Sequence, residues 1–257
     1  MRPDLVSLSM NTATLGFQWE LGAIADACAK QGLGGIAPWR RDLVATPPET
    51  ARRQIADAGL QVTSLCRGGF LVHHDSAQEA AVYDDNRRAV DEAVGLGAPV
   101  LCFVVGGLPE GSKSLAHARD QVVTMLRRLH AHAAGTGLRL AVEPLHPMYA
   151  ADRACINSLE QALDLCDALD PAGGGALGVA VDLYHVWWDP KLAAQIARAG
   201  RERLLAFHVC DWLVPTRDIL NDRGMMGDGV IDIRRVRAAV EAEGFAGYCE
   251  IEIFSND

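Results

Sequence analysis

LRLAVEP (Leu138–Pro144), LGVAVDLYH (Leu177–His185), LLAFHVCD (Leu204–Asp211) and GYCEIEIF (Gly247–Phe254) are four short apolar runs, each closing on a carboxylate or an imidazole. Runs of this kind, bounded by polar loop residues, read as strands buried on both faces, the mark of a parallel sheet. Their ends carry Glu143, Asp182, His208 and the pair Glu250 and Glu252. In a parallel barrel the carboxyl ends of the strands are where active sites are built.

Outward from these runs, strand and helix alternate with no linker. Leu5 to Ser9 is the first predicted strand, followed by a helix from about Trp19 to Gln31 that stops at Gly32. The next strand is Gly34 to Trp39, then a helix opened by Thr46, Pro47 and Pro48, then the strand Leu60 to Cys66. A helix from about Ala77 to Leu96 stops at Gly97 and leads to the strand Pro99 to Val105. A helix from Ser114 to Ala134 precedes the strand Leu138 to Glu143, and one from about Ser158 to Leu169 precedes the strand Leu177 to Leu183. The series closes with a helix from Pro190 to Ala199, the strand Leu204 to Val209, a helix from Ile233 to Glu243 and the strand Tyr248 to Phe254. Proline at helix starts and glycine just past their ends place most of these boundaries.

Repeated βαβ units of this number allow closure into a barrel, and 257 residues is typical of one (β/α)8 domain. The expected fold is therefore α/β, a TIM barrel spanning residues 1–257 as a single domain. An open doubly wound sheet would call for a glycine-rich phosphate turn after the first strand, and SMNTATLG (residues 9–16) is a poor match. The chain ends three residues after the eighth strand, so the eighth helix is missing from the pattern. A neighbouring subunit in a homo-oligomer, or a longer chain, would then cover the outer face of strands one and eight.

Hydrophobic residues make up 49 % and charged residues 22 %, a globular balance. No apolar run reaches the roughly 20 residues of a membrane span, and the start MRPDLVSLSMN lacks a signal-peptide core. A net charge of −9 argues against a nucleic-acid partner. Seven cysteines without paired spacing, with Cys102 and Cys249 inside predicted strands and Cys210 in the apolar run that closes another, point to reduced thiols and a cytoplasmic protein.

Singly, each strand-end residue has an ordinary reading. Glu143 suits a solvated loop, and His208 suits a hydrogen-bonded core imidazole. Asp182 ends an unbroken apolar run, where an unpaired carboxylate would be costly. Together, four adjacent strands placing oxygen or nitrogen ligands at one height call for a shared divalent cation to offset carboxylate repulsion. Two long loops flank them, HPMYAADRACIN (residues 146–157) and CDWLVPTRDILNDRGMMGDGV (residues 210–230), and loops of this length are usually functional. They are expected to cover the substrate.

These residues resemble the xylose-isomerase-like barrels, the sugar phosphate isomerase and epimerase superfamily that includes ketose 3-epimerases, hydroxypyruvate isomerase, inosose dehydratase and endonuclease IV. The resemblance covers the whole chain up to the eighth strand. It rests on VEP (Val142–Pro144), DLYH (Asp182–His185), HVCD (His208–Asp211), Arg217, GDG (Gly227–Gly229) and EIF (Glu252–Phe254). It implies that Glu143, Asp182, His208 and Glu252 bind one metal, that Glu143 and Glu252 also move protons, and that His185 and Arg217 contact substrate oxygens. Asp211 joins the substrate-binding set through HVCD, and Trp39, Trp212 and Phe254 are candidates to wall the pocket.

Glu250 and Glu252 are two apart and share a face. Glu252, nearer the loop, is taken as the ligand; Glu250 then lies one layer deeper, paired or protonated, with Arg139 as a candidate partner. His146 in EPLHP departs from many of the family's epimerases. It is read either as an added acid or base or as a loop residue held between Leu145 and Pro147, while His73 and His74 are read as surface residues.

A set of three carboxylates and one imidazole leans toward the harder ions, Mn2+ ahead of Mg2+, Co2+ and Zn2+. Such an ion can chelate a carbonyl and its neighbouring hydroxyl and favour an enediolate. The leading reading is thus a metal-dependent sugar or keto-sugar isomerase or epimerase. The alternative is a lyase or dehydratase acting on a keto-sugar or 3-keto-glycoside, with His146 as acid or base. A non-catalytic sugar-binding barrel is the third reading. Nuclease activity is disfavoured by the acidic charge and by too few histidines for a trinuclear zinc site.

Overall fold

In the computed structural model, which describes residues 5–256, the strands are β1 (Leu8–Asn11), β2 (Gly35–Ala37), β3 (Gln61–Val62), β4 (Leu65–Gly69), β5 (Val100–Val104), β6 (Arg139–Val142), β7 (Leu177–Asp182), β8 (Leu204–Val209), β9 (Asp211–Trp212), β10 (Arg223–Gly224) and β11 (Cys249–Ile251). β9 and β10 form a small antiparallel pair, and the rest make one parallel sheet in the order β3-β2-β1-β11-β8-β7-β6-β5-β4. The two ends of that order, β3 and β4, are halves of one interrupted strand. A parallel bridge between Trp39 and Cys66 joins the edges, so the sheet is a nearly closed barrel.

The helices are α1 (Leu21–Gln31), α2 (Pro48–Asp57), α3 (Ser76–Leu96), α4 (Leu115–Ala133), α5 (Leu159–Leu169), α6 (Leu183–Val186), α7 (Leu192–Arg203) and α8 (Ile233–Ala242). The starts of α3, α4, α5 and α8 are set by side chains that satisfy orphan amide donors: Asp75, Ser114, Ser158 and Asp232 each accept from a backbone N–H in the first turn. In α4 the buried residues Ala118, Val122, Met125, Leu126, Leu129 and Ala133 recur at three and four, which lays one apolar stripe on the sheet. Among the described residues no helix follows β11, and none is long and apolar enough to cross a membrane.

Strand alternation sorts side chains between two cores. Leu140, Val142, Val179, Val181, Phe207, Val209, Ile251 and Ile253 face outward into the layer beneath the helices. Cys66, Cys102, Ala141, Ala180 and Ala206 face the lumen, where small side chains fill a narrow interior.

Several boundaries differ from the sequence reading, and three of them shape the site. Leu5–Ser7 is a 3-10 turn and β1 runs on to Asn11, because its lumen face is polar and gave no apolar run to follow. The third strand breaks at Thr63 and Ser64. β7 ends at Asp182, which caps α6, so Leu183, read as the last residue of the strand, opens a helical turn.

Candidate metal centre and substrate cavity

Continuing the lumen-facing alternation by one step past Ala141, Ala180, Ala206 and Glu250 arrives at Glu143, Asp182, His208 and Glu252. All four are buried, and one ligand atom from each lies within 4.8 Å of the others. Opposed ligands at bonds of about 2.0 to 2.3 Å stand about 4.0 to 4.6 Å apart, so a contraction of tenths of an ångström would bring the set onto one ion. β6, β7, β8 and β11 are consecutive in the barrel, and the register sets Asp182 beside His208 and His208 beside Glu250.

His208 shows which way the site is polarised. Its Nε2 lies 3.4 Å from Glu250 Oε1, while Nδ1, buried and without a hydrogen-bond partner, faces Glu252 Oε2 at 3.6 Å and Glu143 Oε2 at 4.0 Å. A carboxylate behind one ring nitrogen orients the imidazole and presents the other nitrogen as a donor, an arrangement usual behind metal-bound histidine. An orphaned ring nitrogen facing two carboxylates, with a third in the same cluster, fits a divalent cation.

Glu250 is therefore the deeper group, and its partners differ from the expected one. Asn11 Nδ2 donates to it at 2.9 Å, Ser64 Oγ at 3.0 Å and Thr63 Oγ1 at 3.2 Å. Arg139 borders the same cavity at the amino end of the barrel, but among the described residues it forms no ion pair with Glu250. Barrel closure brings neutral donors from β1 and the third strand closer than the arginine. Asn11 Nδ2 also donates to Glu252 at 3.1 Å, and its Oδ1 accepts from Trp39 Nε1 at 2.7 Å, so one amide ties both glutamates to the pocket wall.

Arg223, at the start of β10, brings positive charge to the centre, and against the burial of His208 the carboxylates of Glu250, Glu252 and Glu143 raise its pKa. Arg223 Nη1 donates to Asp182 Oδ2 at 3.1 Å and to Glu252 Oε2 at 3.2 Å, and its plane is held between the rings of Tyr184 and Phe254. Burial opposes ionisation of Arg223, yet Asp182, Glu252 and Glu143 keep it charged. Burial and the charge of Glu252 raise the Glu143 carboxyl above its ordinary range. For Glu252, burial is outweighed by His208 and Arg223, which hold it low.

α6 explains why DLYH is spaced as it is. Asp182 Oδ1 accepts from the Tyr184 amide at 2.8 Å, leaving Oδ2 for the centre. One helical turn then returns His185, whose Nε2 lies 3.5 Å from Asp182 Oδ2 and 3.2 Å from Arg223 Nη2. Burial lowers the His185 pKa to about 3, against the pull of Asp182. The ring stays neutral.

Above the cluster opens a cavity of about 170 Å3 with a mouth to solvent. Trp39, His185, Glu143, Glu252 and Phe254 line it as the sequence suggested, together with Arg223, Arg67, Tyr149, Arg153 and Leu220, which the sequence reading passed over. The last three come from the two long loops. Those loops are joined where Tyr149 and Tyr184 both donate through their hydroxyls to the carbonyl of Ile219.

Arg217, His146, Asp211 and Trp212 are placed elsewhere. Arg217 binds Asp222, with Nε to Oδ1 at 2.9 Å, and is not among the residues lining the cavity. Arg223, in NDRG just before GDG, holds the position assigned to it. Only the path of an irregular loop separates the two. His146 Nδ1 accepts from the Met148 amide at 3.3 Å, and its ring stacks on Trp212 and meets Trp188 edge-on, away from the cavity wall. Its backbone N–H donates to His185 Nδ1, which is its link to the site. Asp211 accepts from the amides of Trp212, Ile231 and Gly227, so it pins the returning end of the second loop. Gly229 is required there, because a Cβ would stand 2.3 Å from the Trp212 carbonyl oxygen.

A family model described as xylose isomerase-like TIM barrel matches residues 25–257. No curated protein matches the chain. Among solved structures, protein SMc04130 from Sinorhizobium meliloti 1021 is 53% identical with a TM-score of 0.94, covering 98% of this chain and 91% of that one. The IolI protein with a bound zinc atom is 19% identical with a TM-score of 0.82, covering 97% of this chain and 90% of its own. D-psicose 3-epimerase, crystallised in the presence of D-fructose, is 15% identical with a TM-score of 0.76, covering 96% and 85%. The last two share the fold.

Proposed function

Because the chain belongs to the xylose isomerase-like TIM barrel family, we propose that it is a divalent-metal-dependent isomerase or epimerase of a sugar or keto-sugar. The observation that carries this reading is the convergence of Glu143, Asp182, His208 and Glu252 beneath a cavity that Glu143 and Glu252 line. When bound there, a divalent cation, with Mn2+ favoured by the oxygen-rich set, supplies Lewis-acid polarisation of a carbonyl and its neighbouring hydroxyl. A zinc atom in the IolI protein and D-fructose with D-psicose 3-epimerase belong to those proteins; on a shared barrel they agree with the classes of ion and substrate proposed.

The chain's own residues do the rest. Glu143 follows β6 and Glu252 follows β11, with β7 and β8 between them, so the two carboxyl groups approach a bound substrate from different walls. One removes the proton beside the carbonyl and the other returns one. Arg223 and His185 face the substrate oxygens, and Trp39 and Phe254 close the apolar side and exclude water. The elimination reading leaned on His146, and the occupied Nδ1 and packed ring of that residue favour proton return over expulsion of a leaving group. Seven free cysteines suit a reducing, cytoplasmic setting.

Incubation of candidate ketoses with Mn2+-loaded protein in D2O tests the reading. Deuterium should appear at the carbon beside the carbonyl in a product of unchanged composition. A product lighter by water or an aglycone would replace isomerisation by elimination, and full activity of metal-free protein would reject the mechanism.

A further inference from the structure

The cavity holds more positive charge than the metal cluster uses. Arg223 is engaged by Asp182 and Glu252, but Arg67, projecting from β4 into the cavity, makes no side-chain hydrogen bond or ion pair with any described residue. It is half-buried, and aromatic rings support it: the guanidinium lies 4.5 Å from the centre of the Phe70 ring and 5.8 Å from that of Trp39. Those faces fix its plane without satisfying its five N–H donors. Arg153, from the loop after β6, borders the same cavity, with only a loose approach of its Nε to Asp152 at 3.7 Å. The two are close enough that Arg153, after burial itself and against the pull of Glu143, helps push the Arg67 guanidinium below its ordinary range. A guanidinium held in a cavity with its donors unspent, and a second beside it, is arranged to receive a planar or tetrahedral oxyanion.

We propose that the substrate carries an anionic group, a carboxylate or a phosphate, seated on Arg67 with Arg153 beside it, so that the protein acts on an acidic keto-sugar in preference to a neutral one. The proposal rests on reading the cavity as a keto-sugar site, and it names the substrate class. A neutral ketose would leave Arg67 desolvated and unpaired in the complex, which costs affinity. An acidic one puts its reacting carbons over the Glu143 and Glu252 end while its charged end reaches the β4 wall.

The test is calorimetric titration of the protein, with and without Mn2+, using D-fructose, D-fructuronate and D-fructose 6-phosphate, three ligands that differ at one end only. At least one acidic ligand should bind about 10- to 100-fold more tightly than D-fructose, the range expected of a charge-assisted pair. The tighter of the two acidic ligands distinguishes carboxylate from phosphate. Arg67→Gln should remove the preference, Arg67→Lys should keep part of it, and Arg153→Gln should reduce it, all with Mn2+ affinity unchanged. Equal binding of D-fructose, a preference that survives in Arg67→Gln, or no binding of either acidic ligand would overturn the proposal. Because binding is read separately from deuterium exchange, an anion preference without exchange would refute the isomerase reading alone.

Discussion

Replacing Glu250 and Glu252 one at a time by glutamine should separate folding from metal binding within a single short strand. Glu250 accepts from Asn11, Ser64 and Thr63 and backs the Nε2 of His208. In Glu250→Gln the carbonyl oxygen can keep the Asn11 bond, and the hydroxyls of Ser64 and Thr63 can turn to accept from the new amide. The charge is lost, however, and hydrogen bonds to charged groups exceed neutral ones by about 1 kcal/mol each. A net loss of about 1 to 2 kcal/mol follows, or roughly 2 to 8 °C in Tm for a chain of this size. Mn2+ affinity should fall about 10- to 100-fold, the usual effect of altering the group behind a ligating histidine, while binding remains measurable. Glu252→Gln should instead abolish turnover in a chain that still folds: its one oxygen serves either Asn11 or Arg223, which bind opposite carboxylate oxygens, and Asp182 still holds Arg223. Thermal melting with Mn2+ calorimetry on both variants reads the split. If Glu250→Gln loses turnover with full stability while Glu252→Gln keeps it, the site lies one layer deeper than described.

Asp182→Asn should weaken Mn2+ binding and turnover together and lower the melting temperature, because the amide oxygen still caps α6 but the amide nitrogen faces the buried Arg223 guanidinium; retained Mn2+ affinity would remove Asp182 from the ligand set. Exhaustive chelation should eliminate deuterium exchange and Mn2+ should restore it, and exchange that survives chelation would exclude metal assistance. His146→Ala should keep kcat within a few-fold of the parent, whereas the loss of a general acid or base costs about 100-fold or more; a drop of that size would return His146 to the catalytic set. Asp211→Ala should raise KM more than it lowers kcat, because it frees the amides of Gly227 and Ile231 that hold the loop bearing Leu220 and Arg223; an unchanged KM would show that the loop holds itself.

The legible part of this protein is the part governed by a regular period. Continuous apolar runs with caps at proline, serine, aspartate and glycine mark strands and helices from local sequence, and a repeat of two residues decides which strand positions share a face. That is why Glu143, Asp182, His208 and Glu252 could be singled out from strand ends alone, and why Glu250 was placed one layer below Glu252. In irregular segments the period is gone. Arg217 and Arg223 lie six residues apart in one loop, and nothing in its composition says which turns inward; the choice follows from the pairing of β9 with β10 and the capture of Arg217 by Asp222.

Tertiary structure alone decided the rest. Asn11 and Ser64 meet Glu250 across 239 and 186 residues of chain, so Glu250 acquires neutral donors in place of Arg139 only through closure of the barrel. His146 carries the chemistry of a catalyst, yet packing against Trp188 and Trp212 turns it away from the cavity. Arg67 gives no sign in sequence of being unpaired, because an unmet partner is a property of everything that surrounds a side chain. Local physics thus selects the ligands, through backbone periodicity and burial, while the charges around them and the shape above them depend on contacts between distant segments that no local pattern encodes.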